Sequence, residues 1–107
     1  MSYYGLNGEV ISRLEWNALF KDNVKRRVAL DEITNQHGSI MFIVSTEWIG
    51  VDHGPPKKLL PPMIYETAVF NELHHKIDSY WYPDFREAQN GHYAVLRKLT
   101  ADDPHST

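Results

Sequence analysis

Hydrophobic and polar positions alternate along much of this chain, and the alternation marks out four extended stretches. The clearest is Ile40 to Val51, in which Ile40, Phe42, Val44 and Trp48 form one set and Met41, Ile43, Ile49 and Val51 the other. A strand apolar on both faces is expected to be central and covered twice. In so small a chain the second cover is expected to be another copy of the protein. Met63 to Phe70 reads as its partner, with Met63, Tyr65, Thr67 and Val69 on one face and Ile64, Glu66, Ala68 and Phe70 on the other. Val24 to Ile33 reads as a first strand, and Ser79-Tyr80-Trp81-Tyr82 as a short edge strand ended by Pro83. Thr34 to Gly38 reads as a turn, Asp52 to Pro62 as a proline-stiffened loop, and Asn71 to Asp78 as a polar connection.

Two stretches carry helical spacing instead. Ser12 and Glu15 form a capping box, after which Leu14, Trp16, Ala18, Leu19 and Phe20 supply an apolar face that Lys21-Asp22-Asn23 ends. Ahead of it, Asn7-Gly8 is a turn dipeptide. The second helix opens at Asp84, with Glu87 in its first turn, and presents Phe85, Ala88, His92, Val95, Leu96 and Leu99 on one side. Gly91 within that helix costs about 1 kcal/mol against Ala, so a close approach is expected there. The pattern predicts one α+β domain over residues 1–100: a three- to four-stranded, mainly antiparallel sheet with a C-terminal helix packed on one face and a short N-terminal helix. Residues 101–107 are polar and read as a disordered tail.

Composition narrows the function classes. The 107 residues are 42% hydrophobic and 23% charged, with a net charge of −3, which argues against a general nucleic-acid binder. Lys25, Arg26, Arg27 and Lys57, Lys58 make only short basic clusters. There is no cysteine, so disulfides and thiolate metal sites are excluded. No apolar run approaches bilayer-spanning length, and the first residues do not read as a signal peptide. A soluble protein that stays where it is made is expected.

Candidate chemistry gathers on a few polar residues among the apolar ones. Glu66 lies mid-strand, His92 on the apolar helix face and His53 just past the central strand. Were the helix to pack over Ile64, Ala68 and Phe70, Glu66 and His92 would meet, and a carboxylate beside an imidazole is the minimum for general acid–base work. The competing reading is a structural pair that satisfies a core acid, and it is favoured. No metal-motif spacing, serine elbow or phosphate-binding glycine loop occurs, so neither a metal site nor a cofactor is assigned. A binding role rests on Trp48, Asp52, Tyr80, Trp81 and Tyr82, since Trp and Tyr bury area while keeping a polar handle. A homodimer through the doubly apolar strand or the Tyr80–Tyr82 edge follows from the same residues.

The order of motifs resembles a family of small bacteriophage proteins, chiefly from phages of actinobacteria. The residues that carry the resemblance are Tyr4, Gly8, Ile11-Ser12, Glu15-Trp16, Leu19-Phe20, Arg26-Arg27-Val28-Ala29, Val44-Ser45-Thr46, Trp48, Gly50, Asp52-His53, Pro62, Glu66-Thr67, Phe70, Glu87-Ala88 and Gly91-His92. They span roughly residues 4 to 99. Asp84 departs from the family's usual Thr, and the Pro/Lys loop from its Gly/Asp-rich one. The resemblance implies a phage origin, a free-standing domain and the host cytoplasm, and carries no activity with it. By context it suggests a protein that interferes with a host protein or sequesters a small ligand. A small hydrolase or metal-dependent enzyme built on Glu66, His92 and His53 is the alternative.

Overall fold

The computed structural model describes residues 1–54 and 61–101, so most of the proline loop and nearly all of the polar tail lie outside the described residues. Its elements run β1 (Tyr3–Tyr4), β2 (Val10–Ile11), α1 (Arg13–Phe20), α2 (Asn23–Arg26), β3 (Arg27–Thr34), β4 (Ile40–Trp48), β5 (Tyr65–Asn71), β6 (Lys76–Tyr82) and α3 (Phe85–Ala101). The last four strands form one antiparallel sheet in the order β3-β4-β5-β6, with α3 packed on one face. The doubly apolar strand is central and the Tyr-Trp-Tyr strand lies at an edge, as the alternation predicts.

Register decides what faces α3. Asp31, Val44, Val69 and Asp78 stand in one row across the sheet, and Ala29, Thr46, Thr67 and Tyr80 in the next. Beneath the helix, Val44, Val69 and Val95 make one buried cluster, flanked by Phe42, Leu96 and Leu99. Trp48, Ile64, Tyr65 and Ala88 make a second, which Tyr4, Leu6, Trp16, Leu19, Phe20 and Val28 close from the N-terminal side. The helix therefore covers the Tyr65, Thr67 and Val69 side of β5, not the side carrying Glu66.

Boundaries differ from the sequence pattern where local capping intervenes. Asp22 Oδ1 accepts from the amides of Val24 and Lys25, which winds Asn23–Arg26 into a helical turn, so β3 begins at Arg27 rather than Val24. Asn71 Oδ1 accepts from the amides of Leu73 and His75, folding Asn71–His75 into a tight turn. That turn, with His74 in the left-handed region at φ 63°, frees Lys76–Asp78 to extend β6. Three of α3's apolar positions, Ala88, His92 and Val95, are fully enclosed, whereas Phe85 is half-exposed. The close approach expected at Gly91 is to the ring of Tyr82, into which any Cβ would project.

The capping box of α1 forms as expected: Ser12 Oγ accepts from Glu15 N at 3.1 Å, and Glu15 Oε1 accepts from Ser12 N at 3.2 Å. Its inward side is narrower than the sequence suggests, because Leu14 and Ala18 face solvent. The rotation of α1 is set by Trp16, whose Nε1 donates to the Ile49 carbonyl at 2.9 Å while its ring stacks on Phe20. Gly50, at φ 78°, follows that carbonyl, and a side chain there would strike Trp48 and Trp16 together. Trp16 thus ties α1 to the end of β4. We expect Trp16→Ala to destabilise the fold by roughly 3 kcal/mol, the lower end for large aromatic truncations because the ring is partly exposed. Equilibrium urea unfolding measures this, and a curve overlaying the parent's would refute the role.

Candidate functional site

Strand parity divides the candidate residues between two sites that do not communicate directly. His92, Trp48, Tyr80 and Tyr82 belong to the face under α3. Glu66, Trp81 and His53 belong to the opposite face, which no described element covers.

The site under α3 is a chain of polar atoms. His92 has no solvent exposure; its Nε2 lies 2.7 Å from Asp31 Oδ2 and its Nδ1 lies 2.7 Å from Thr46 Oγ1. Thr46 Oγ1 in turn lies 2.5 Å from Thr67 Oγ1, and both threonines are fully buried. Burial pushes the pKa of the nearby Tyr82 phenol upward. An acid, an imidazole and a hydroxyl in sequence have the composition of a nucleophile-activating triad. Here no reactant reaches the hydroxyl, because Thr46, Thr67 and His92 are sealed by helix and sheet. What the chain does accomplish is satisfaction: every buried side-chain polar atom in it has a partner.

On the uncovered face the transverse rows are Glu32–Ile43–Phe70–Lys76, then Leu30–Ser45–Ala68–Ser79, then Glu47–Glu66–Trp81. The middle row is floored by small side chains, across which Lys76 reaches to pair its ammonium with Glu66. Glu66 is only 8% exposed despite having no helix above it. Arg26 Nη2 bonds Glu47 at 2.9 Å, its Nη1 bonds the Phe20 carbonyl at 3.0 Å, and its guanidinium sits 3.8 Å over the Phe20 ring. At the corner, His53 stacks on Trp81 with centroids 3.9 Å apart and planes 9° from parallel. Asp52 builds that corner, since its Oδ1 accepts from Gly54 N and Met63 N, each at 2.8 Å.

The expected Glu66–His92 pair is thus corrected: the two lie on opposite faces of the sheet, Glu66 held by Lys76 and His92 by Asp31 and Thr46. Alternation along β5 was readable, but α3 chose the set containing Thr67 because the Thr46–Thr67 pair supplies the partner His92 needs. Trp48 is likewise a core residue with no exposure rather than a contact residue. Tyr80 and Tyr82 line a cleft of about 270 Å³ with Gly91, Ala94, Val95 and Lys98. Sequence reasoning missed Asp31, Thr46 and Lys76, which look like an ordinary strand charge, a β-former and a turn lysine. Among the described residues no three His, Asp or Glu side chains are grouped to hold a metal ion. No described helix is long and apolar enough to cross a membrane. Compared with known proteins, the chain matches no family model, no curated protein and no solved structure.

Tyr65 ties the N-terminal segment to the core, its hydroxyl donating to the Leu6 carbonyl at 2.6 Å. Burial first, then the charges of Asp84 and Glu9, push its pKa up to about 12. The folded state thus holds this proton more tightly than the unfolded chain does. The linked stability is complete below the ordinary phenol range near 10 and is lost as pH rises toward about 12. We expect unfolding free energy to fall across that window, and Tyr65→Phe to flatten the fall while lowering stability at neutral pH. Denaturant titrations at stepped alkaline pH check both.

Proposed function

We propose that this chain is a phage-encoded binding protein, non-enzymatic, which works in the host cytoplasm through the uncovered face of its sheet. The observation that carries the reading is the make-up of that face. It exposes Leu30, keeps Ile43 and Phe70 half-buried, and mounts the His53–Trp81 stack at one corner. Four of its charged groups are already paired as Arg26–Glu47 and Lys76–Glu66, so covering these strands no charge, while Glu32 needs a cationic partner from whatever covers it. The phage origin rests on the motif resemblance, and interference with a host protein on that origin.

The first occupant of this face is a second copy. Glu32 and Lys76 stand at opposite ends of one row, with Ile43 and Phe70 between them. A two-fold axis parallel to the strands lays the row on its own reverse, joining Glu32 to the partner's Lys76 at both ends and Ile43 to the partner's Phe70. Within one chain Glu32 and Lys76 are three strand spacings apart, roughly 14 Å, beyond a zero-length cross-link. Carbodiimide treatment is therefore expected to yield a Glu32–Lys76 link only between chains, and sedimentation equilibrium at micromolar concentration a mass near twice 12.4 kDa. A 12.4 kDa monomer with no such link would refute the dimer.

A host target meets the His53–Trp81 corner at the rim of this assembly. Capture from host lysate by immobilised wild-type protein, lost with Trp81→Ala while the dimer and the melting curve persist, is the expected outcome. Loss of nothing, or of the dimer as well, would move the contact elsewhere. The hydrolase reading retains one observation, that Glu66 and His53 flank Trp81 on the same face. A hydrolytic activity abolished by Glu66→Gln with the fold intact would favour it.

A further inference from the structure

Between β6 and α3 runs a trench that the packing of the core does not use. The helix starts over the cluster holding Trp48 and Tyr65, where Ala88 packs, and ends over the cluster that Phe42 and Leu99 flank. Its Gly91, Ala94, Val95 and Lys98 stand at helical spacing on the side toward β6. With the rings of Tyr80 and Tyr82 they line a cleft of about 270 Å³. The stripe from Gly91 to Lys98 runs roughly 10 Å along the helix axis.

The two ends of the trench differ in kind. At one, the Tyr82 ring lies so near the backbone of Gly91 that a Cβ there would meet ring atoms at 2.1–2.3 Å, and this contact closes the trench. At the other, Lys98 is exposed and forms no salt bridge among the described residues. The acid on that part of β6 is Asp78, and both its oxygens are already engaged. Oδ2 accepts from the Tyr80 hydroxyl at 2.7 Å and Oδ1 from Ser79 N at 2.9 Å. Between the ends, the walls are two aromatic rings and the methyl groups of Ala94 and Val95.

Size and charge together select an occupant. An apolar cavity of about 150 Å³ holds benzene, and drug-sized ligands take about 300–1,000 Å³. A slot of about 270 Å³, shut at one end and cationic at the other, suits one unbranched chain with an anionic head. We propose that the cleft between β6 and α3 binds a free aliphatic carboxylate of about eight carbons, with its chain over Tyr80 and Tyr82 and its carboxylate at Lys98. Burial of the chain supplies the affinity, and the exposed cation decides which end faces out. This goes beyond the reading of the uncovered face and uses none of its side chains. A partner seated on that face leaves the trench open.

Titrating the full chain with sodium octanoate, octylammonium chloride and sodium acetate, followed by nuclear magnetic resonance, tests this. We expect octanoate to move the Ala94 and Val95 methyl signals and the Tyr80 and Tyr82 ring signals, with a midpoint of a few millimolar at about ten non-hydrogen atoms. Octylammonium should bind at least fivefold more weakly, and acetate should move nothing over the same range. Ala94 and Lys98 are both exposed, so their variants should keep the parent's melting curve. Lys98→Glu should weaken octanoate about tenfold and reverse the preference toward octylammonium, and Ala94→Phe should abolish both by filling the slot. The probe comparison in the wild-type protein decides without any variant. Octylammonium binding as well as octanoate overturns the proposal, as do cleft signals that stay still up to about 10 mM octanoate. Shifts centred on Leu30 and Phe70 instead, or octanoate affinity unchanged in Lys98→Glu, overturn it equally.

Discussion

Two hydroxyls and an imidazole buried at the centre of this domain fix the position of its one long helix. Apolar contacts such as those of Ala88 and Val95 tolerate sliding, because dispersion has little direction. The bonds from His92 to Thr46 and Asp31 do not. A turn of α3 by one residue would leave several buried polar atoms unpaired, at about 1–3 kcal/mol each. The polar node therefore sets the rotation of α3, and that rotation leaves the other sheet face without a helix.

The elements were largely legible and their assignment to faces was not. Doubled apolar sets gave away β4 as central, and Pro83 after the Tyr-Trp-Tyr run marked β6 as the last strand of the sheet. The capping residues Ser12, Glu15 and Asp84 announced both helix starts. Alternation along β5, however, yields two faces without saying which one a helix will cover. Thr46 and Thr67 carry no signal until their pairing across β4 and β5 is known, and Asp31 meets His92 across 61 residues of chain. Short capping events such as the one at Asp22 also escaped the pattern, since a side chain accepting two amides outweighs a mild strand preference.

On the uncovered face, charge is handled by pairing rather than by solvation. Lys76 reaches past the Ala68–Ser79 row to pair with Glu66, which is left nearly buried. Arg26 does similar work at the other side, splitting its guanidinium between Glu47, the Phe20 carbonyl and the Phe20 ring. Side chains arranged in this way present a surface whose electrostatic field is short-ranged, leaving shape and aromatic area to discriminate between partners.

The tie from Tyr65 to the Leu6 carbonyl has a consequence for how the chain acquires its shape. It closes a span of 59 residues, and the Trp16 tie to Ile49 closes one of 33, whereas each neighbouring pair in the main sheet is joined directly along the chain. Loop closure over a long span is entropically costly until the far end is in place. Segments β1, β2 and α1 precede β4 and β5 along the chain, so their docking surface is synthesised after them. Docking of these segments is therefore coupled to formation of the β4–β5 pair, and their order follows the sheet rather than preceding it.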